Sequence, residues 1–301
     1  MKHITRLFLA FFIVSNICSC VPSEPQDKET PAIENPTNIE VDNNVNLAKT
    51  TLLLDGNYSY PVFSPNGNRF SYTEKNGINL YIKELKVGGA SVRILNAKGL
   101  GNTTGWAKGG EAIYFKDRSN GIDWDVKEVD VVSKNNRILP NIPYTAVFSA
   151  LGLSDTLFYI GQQSLKVYAE YGGKKWQITN KEGQFYQALL SPNLTYLVAH
   201  NGSQVQLFTV DGRFIRALGT GIATAWSPDS RFLIGFQDES ADGQQITGSD
   251  LYLFDIEKDQ PIRLTQSPDV FEMWPSWSPK GNKILFADDR NGGIYEGELD
   301  F

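Results

Sequence analysis

A short motif recurs six times in this chain and constrains its fold more than any other feature. In its clearest form a bulky residue is followed by Ser-Pro, a polar turn and alternating apolar residues, as in "PSWSPKGNKILFA" at residues 275–287. The spacings between the bulky anchor residues are 43, 42, 42, 36 and 51, so the period is close to 43. Regular self-similarity at such a period is typical of a protein built from repeated structural units. The anchors are Phe63, Trp106, Phe148, Leu190, Trp226 and Trp277, of which Trp106 and Phe148 lack the Ser-Pro.

Each copy of the motif predicts four short strands. The anchor ends the first strand, and Pro with the polar or glycine residues after it forms a turn. The second strand alternates, as at Phe232, Ile234 and Phe236, and segments such as "DLYLFDI" and "PIRLT" supply the third and fourth. Six four-stranded units at this period fit the blades of a β-propeller. A β-sandwich with coincidental Ser-Pro turns is the alternative.

The two ends of the repeat region predict how the ring closes. After "GIYEGELDF" at residues 293–301 there is no fourth strand for the last copy. The segment "TLLLDG" at residues 51–56 matches the fourth-strand pattern and precedes the first copy. We therefore expect an all-β, six-bladed β-propeller of four-stranded antiparallel blades over residues 46–301. Its N-terminal strand is expected to pair in the last blade, which removes exposed edges.

The N-terminal segment is not part of this pattern. Residues 1–20 place Lys2 and Arg6 before an apolar run, which is typical of a signal peptide. The run ends in "ICSC", which resembles the lipobox of bacterial lipoproteins, with Cys20 as the lipidated residue. An ordinary cleaved signal peptide or an uncleaved anchor are the alternatives. Residues 21–45 are rich in Pro, Glu, Asn and Asp and predict a disordered tether. Val21, where many inner-membrane lipoproteins carry Asp, favours the outer membrane by analogy.

Composition narrows the chemistry that the folded region can perform. Both cysteines lie in residues 1–20, so the rest of the chain has no thiol for disulfides, metal binding or catalysis. Without that segment the chain has 26 basic and 34 acidic residues, and an acidic protein is a poor nucleic-acid binder. His200 is the one remaining histidine and is expected to be a solvated residue at a strand end. A histidine-based triad or zinc site is therefore not expected, and no cofactor is predicted.

The repeat resembles that of the TolB-like propellers. The matching segments are "PSWSPKGNKILFA" with "GIYEGEL", "TAWSPDSRFLIGF" with "SDLYLFDI", and "PVFSPNGNRFSY" with "INLYIKEL". The resemblance covers about 250 residues, from Thr51 to the end of the chain. It implies an envelope-located propeller, and related repeats also occur in peptidases, lyases and surface-binding proteins. TolB itself carries an α/β domain before its propeller, whereas this chain has a short tether there.

In a propeller, the loops between second and third strands and the loops between blades lie on one face. In this chain those loops combine acidic and aromatic residues, which favours a docking surface for another envelope protein. The alternatives are a solvated acidic face, or a glycan- or cation-binding site in which paired carboxylates act as a hydrolase or lyase. We expect a non-enzymatic, monomeric module held at the membrane by its lipid. The predicted partner-binding residues are Tyr144, Tyr186, Asp238, Glu239, Glu272, Trp274, Asp288 and Arg290.

Overall fold

The computed structural model describes residues 45–121, 123–240 and 242–301. The chain divides into two units, Met1–Glu40 and Val41–Phe301, and every described residue belongs to the second. The predicted signal peptide, Cys20 and the predicted tether as far as residue 44 lie outside the described residues. Within those three ranges, no helix has the length and apolar character needed to cross a membrane.

The described residues form six antiparallel sheets arranged as a six-bladed β-propeller, which confirms the predicted fold. The elements are β1 (Asn46–Leu54), β2 (Tyr58–Phe63), β3 (Arg69–Glu74), β4 (Asn79–Glu84), β5 (Ser91–Asn96), β6 (Thr104–Trp106), β7 (Ala112–Asp117), β8 (Asp125–Asp130), β9 (Asn136–Ile138), α1 (Phe148–Leu151), β10 (Leu157–Ile160), β11 (Val167–Tyr171), β12 (Lys174–Gln177), β13 (Phe185–Leu190), β14 (Tyr196–Asn201), β15 (Gln204–Thr209), β16 (Phe214–Thr220), β17 (Ile222–Trp226), β18 (Phe232–Ser240), β19 (Ile246–Asp255), β20 (Ile262–Arg263), β21 (Glu272–Trp277), β22 (Lys283–Asp288) and β23 (Ile294–Asp300).

The predicted closure of the ring is also confirmed. Blade 6 has the strand order β1-β23-β22-β21, so its outermost strand comes from the N-terminal side of the propeller. Asn46 lies opposite Asp300 and Leu54 lies opposite Ile294 in an antiparallel pairing. The backbone groups along the outer edge of β23 are thereby paired, and the first and last segments of the propeller are joined.

Blade 3 departs from the predicted four-stranded pattern. Its sheet contains three strands, β10, β11 and β12, and the position of the innermost strand is marked by an isolated bridge between Ala146 and Tyr159. The anchor Phe148 begins the short helix α1 instead of ending a strand. The loss of Ser-Pro alone does not explain this helix, because the copy in blade 2 also lacks Ser-Pro and its anchor Trp106 still ends β6.

The Ser-Pro serines have a structural role in the turns. Ser227 is buried, its Oγ accepts a hydrogen bond from the Phe232 amide at 2.9 Å, and it donates to the Asp229 carboxylate at 2.5 Å. Ser191 makes the same two contacts, with the Tyr196 amide and the Asn193 side chain. These bonds satisfy polar groups at the tight reversal between the first and second strands. The repeated motif is thus a repeated turn.

The hydrophobic core is distributed between the blades. Each pair of neighbouring blades shares its own cluster of buried side chains, for example Leu80 and Ile82 of blade 1 with Ile113 and Phe115 of blade 2. Two anchor residues add hydrogen bonds across these interfaces, because the indole of Trp226 donates to the Leu189 carbonyl and that of Trp106 to the Val62 carbonyl. Each blade therefore buries both of its faces against its neighbours.

The strand directions define two faces of the propeller. The linker face carries the loops between blades and those between second and third strands, including residues 55–57, 178–184 and 289–293. The Ser-Pro face carries the turns after the anchors, including residues 191–195, 227–231 and 278–282. Since β1 runs antiparallel to β23, the chain enters the propeller at the Ser-Pro face and reaches the linker face at Leu54.

Candidate functional site

The innermost segments of all six blades surround a central channel. Its volume is about 1300 Å³, and its walls include Val62, Gly105, Val147, Ala188, Ala225 and Ser276, one from each blade. The lining extends from Gln184 near the linker face to Pro192, Pro228 and Pro279 at the Ser-Pro face. The channel is larger than the roughly 300–1,000 Å³ that is usual for a small-molecule pocket. It therefore offers room for an extended ligand or partner segment.

One side of the channel has an aromatic wall built from several blades. Trp274 of blade 6 lies 4.8 Å from Tyr60 of blade 1 and 5.0 Å from Phe236 of blade 5, measured between ring centroids. Tyr186 of blade 4 contacts the ring of His200 at 5.6 Å and also lines the channel. Aromatic side chains that present both rings and polar tips are favoured anchors in protein interfaces.

Two residues of this wall have an unusual backbone conformation. Tyr60 and Trp274 have φ angles of 55° and 56°, although each is a bulky residue immediately followed by proline. Positive φ is rare for bulky residues, and a following proline favours extended backbone. Both sit where the pairing of the inner strand with the second strand shifts register. Strained backbone that the surrounding structure maintains is concentrated at functional sites in proteins, and here it aims both rings at the channel.

The opposite side of the channel is cationic. Among the described lining residues, the charged ones are Lys108 and Lys116. Lys108 is exposed in the turn after Trp106, whereas Lys116 is half-buried and its Nζ lies 5.4 Å from the centre of the Phe148 ring. Burial lowers the pKa of the Lys116 ammonium. The two sides of the channel therefore differ in chemistry, with aromatic rings facing a lysine.

The predicted partner-binding residues separate into exposed and buried groups. Tyr186 is 53% exposed, and Asp238, Glu239 and Arg290 are also exposed at or near the linker face. Tyr144 and Trp274 are half-buried, and Tyr144 packs between blades 2 and 3. Burial, with Asp238 nearby, raises the pKa of the Tyr186 hydroxyl, so it stays protonated and able to donate.

Arg290 is held in place by the neighbouring loop between β20 and β21. Its Nη1 donates to the Pro268 carbonyl at 3.1 Å and lies 3.5 Å from the Asp269 carboxylate. Its guanidinium also lies over the Phe271 ring, at 5.4 Å from the ring centre. An arginine held in one geometry loses little entropy on binding, which suits it to an interface.

Glu272 and Asp288 were predicted as partner-binding residues. Both are buried, so neither side chain is placed for direct contact with a partner. Glu272 is 3% exposed; burial raises its pKa to about 7, and the nearby Asp250 and Asp288 carboxylates add to the rise. Its Oε1 accepts a hydrogen bond from Ser267, while its Oε2 has no hydrogen-bond partner among the described residues.

Asp288 is 1% exposed and shapes the loop that carries Arg290. Its Oδ1 accepts hydrogen bonds from the backbone amides of Phe271, Arg290 and Asn291. A carboxylate that accepts several backbone amides organises a turn. Asp288 therefore stabilises the conformation of the linker-face loop 289–293 through these backbone hydrogen bonds.

His200 is also placed differently from the prediction. It is completely buried, and its Nε2 accepts a hydrogen bond from the Ala223 amide at 2.9 Å. Its Nδ1 lies 3.4 Å from the Gln187 carbonyl, which fits a neutral ring protonated at Nδ1. Burial lowers its pKa to about 4. His200 therefore joins blades 4 and 5 and is not a solvated strand end.

The described part of the channel lacks the arrangement that carboxylate catalysis needs. A hydrolase of that type uses two converging carboxyl groups that contact the substrate. No carboxylate is among the described residues that line the channel. Glu272, whose pKa is raised, is buried and does not line it. Across the described residues, no group of three or more His, Cys, Asp or Glu side chains is placed to hold a metal ion.

The sequence reasoning missed two residues of the channel, Tyr60 and Lys116. A signal for Tyr60 exists, because "YPVF" at residues 60–63 repeats the aromatic-Pro-x-anchor pattern of "WPSW" at residues 274–277. Lys116 is the second-last residue of β7, and nothing in the local sequence distinguishes it from the surface lysines of the chain. Its position in the channel depends on how blades 2 and 3 pack.

Comparison with known proteins supports the fold. No family model matches the sequence, and no curated protein sequence matches it. Among solved structures, TolB from Acinetobacter baumannii aligns with a TM-score of 0.59 and 17% identity, covering 74% of this chain and 57% of that one. The β-propeller domain of Cps50 (Swd1) from Myceliophteria thermophila aligns with a TM-score of 0.58 and 11% identity, covering 84% of this chain and 99% of that one. The chain thus has a β-propeller fold similar to these two, and it spans little more than half the length of the TolB chain.

Proposed function

We propose that this protein is a lipid-anchored docking module of a bacterial envelope, which binds another envelope protein through its linker face. The observation that carries the proposal is the exposed Tyr186 at the channel, next to a wall of aromatic rings from other blades. Interfaces are commonly anchored by a few tyrosine, tryptophan and arginine residues near their centre. Tyr186, Trp274 and Arg290 provide this set from blades 4 and 6.

The envelope setting rests on the sequence. The lipobox-like "ICSC" ending at Cys20 and the repeat resembling TolB-like propellers support it. The partner is expected to present a segment that enters the mouth of the channel, because the strained Tyr60 and Trp274 direct their rings there. A glycan- or cation-binding role is less well supported, since the described channel lining offers neither a carboxylate pair nor a metal-binding group.

A photo-crosslinking residue at position 186 tests the docking face. Tyr171 is the matched control, because it is a tyrosine of similar exposure, 60%, at the end of β11 near the Ser-Pro face. A protein captured from intact envelopes at position 186 and not at position 171 is identified by mass spectrometry, purified and titrated against the wild-type chain.

We expect Tyr186→Ala to weaken that purified interaction by about tenfold or more, as for an interface anchor, and Tyr171→Ala to leave it unchanged. Circular dichroism and melting temperature confirm that both variants fold. Equal capture at the two positions, or equal binding by the two variants, contradicts docking through the linker face.

A further inference from the structure

Lys116 is a half-buried charged residue in the wall of the channel. It lies at the end of β7 on the side of blade 2 that faces blade 3, and it lines the channel. Its ammonium carries three donors, and within the described residues it has no ion pair or hydrogen bond. The contact that it does make is with the face of the Phe148 ring. Since Lys116 is half-buried, its ammonium is partly shielded from water and is still open to solutes in the channel.

The surroundings of Lys116 distinguish it from an ordinary surface lysine. The next residue, Asp117, is committed to Lys127 at 2.7 Å and to Ser119, so it does not neutralise Lys116. The lowered pKa of Lys116 has burial as its cause, with no acidic neighbour acting on it. The cation–π contact with Phe148 holds the ammonium while leaving its N–H donors free. The channel therefore contains a positioned positive charge with no hydrogen-bond acceptor among the described residues.

We propose that Lys116 anchors an anion site inside the central channel, which binds the carboxylate group of an organic acid or of a peptide terminus. The ammonium supplies a charge-assisted hydrogen bond, and the ring of Phe148 shields one side of the site from water. Apart from Lys116 itself and Lys108, the described lining residues of blades 2 and 3 are uncharged and include Thr104, Thr145 and Phe148. The proposed site does not require a protein partner at the linker face.

The test follows the Lys116 amine directly by NMR in protein that carries ¹³C-labelled lysine. Its side-chain signal is assigned by its absence in Lys116→Met, and its pKa is measured with acetate and with acetamide at equal ionic strength. We expect acetate to raise the Lys116 pKa, because a bound carboxylate favours the charged form, and acetamide to have no effect. Lys108 is the control within the same channel, and its side-chain signal should not respond to acetate.

Two further variants separate binding from folding. Lys116→Arg keeps the charge and should retain the acetate-induced shifts of the backbone amides around the channel, whereas Lys116→Met should lose them. Lys108→Met should behave as the wild type. The melting temperature of Lys116→Met should be close to that of the wild type, since the half-buried ammonium makes no ion pair with the described residues.

The source of the carboxylate is distinguished by a second pair of probes. Acetyl-triglycine with a free carboxylate is compared with its C-terminal amide. A shift with acetyl-triglycine at much lower concentration than with acetate supports a peptide terminus, and equal concentrations support a small organic acid. The proposal is overturned if acetate leaves the Lys116 pKa unchanged, if acetamide has the same effect, or if Lys116→Met retains the shifts.

Discussion

His200 joins two blades through a hydrogen bond that exists in one protonation state. The Ala223 amide at the start of blade 5 donates to its Nε2, which can accept because the ring is neutral. Burial lowers the folded-state pKa from the ordinary 6.5 to about 4. A group with a lowered folded-state pKa stabilises the fold above its unfolded pKa, and this stability is lost as the pH falls toward the folded pKa.

We therefore predict that the His200 contribution is fully present near pH 7 and is lost between about pH 6.5 and pH 4. The shift corresponds to about 3 kcal/mol of unfolding free energy. His200→Gln keeps an acceptor but does not titrate, so its stability should vary less with pH over this range. Urea unfolding of both chains across the range measures the difference. Identical pH dependence in the two chains would show that the ring does not control the interface.

Single residues show what the sequence could predict and what it could not. Tyr186 and Arg290 were predicted at the linker face and are exposed there, because strand order places their segments on that face. Glu272 and Asp288 come from the same kind of segment, yet loop residues 265–271 and 289–293 cover them. Burial at a strand end depends on how neighbouring loops fold over it, and local sequence does not record this.

At the scale of elements, α1 lies against β6 with almost no space between the two backbones. A Cβ atom at Gly152 would lie 2.2 Å from the Trp106 carbonyl oxygen, and one at Gly105 would lie 2.5 Å from that of Phe148. Backbone cannot move aside as a flexible side chain can. The two glycines thus let blade 3 replace its innermost strand with a helix and still close against blade 2.

We predict that Gly152→Ala and Gly105→Ala each lower the unfolding free energy by about 1–3 kcal/mol, the usual cost of overpacking. Gly248→Ala is the matched control, because a Cβ there has its nearest contact at 3.5 Å, with the flexible Glu239 side chain. Urea unfolding measures all three variants. An effect at Gly248 as large as at Gly152 would show that the α1 contact is not the cause.

The Ser-Pro turns and their strands were predictable because each motif carries its own turn chemistry. Blade 3 was not predictable in detail, since the loss of Ser-Pro after Phe148 indicates an altered corner without specifying a helix. The six-fold period still placed this blade correctly in the ring.

At the scale of the whole molecule, one strand joins the two ends of the ring. β1 pairs with β23 along its length, and its last two residues, Leu53 and Leu54, pack against the cluster between blades 6 and 1. The closure was predictable because the last repeat lacks a fourth strand and an extra strand of that type precedes the first repeat. The channel chemistry was not, because it depends on side chains from all six blades meeting at one axis.

We predict that a chain beginning at Gly56 melts at a much lower temperature than one beginning at Val45 and associates with itself. The two chains differ by β1, whose loss exposes the hydrogen-bonding edge of β23. Thermal unfolding and light scattering with size-exclusion chromatography measure both properties. Equal melting temperatures and a monomeric shorter chain would contradict closure by β1.

The direction of β1 also fixes the side of the propeller at which the described chain begins. The chain reaches Asn46 at the Ser-Pro face, beside Asp300, before crossing to the opposite side. A partner that contacts Tyr186 and Arg290 therefore approaches the propeller from the side away from this entry point.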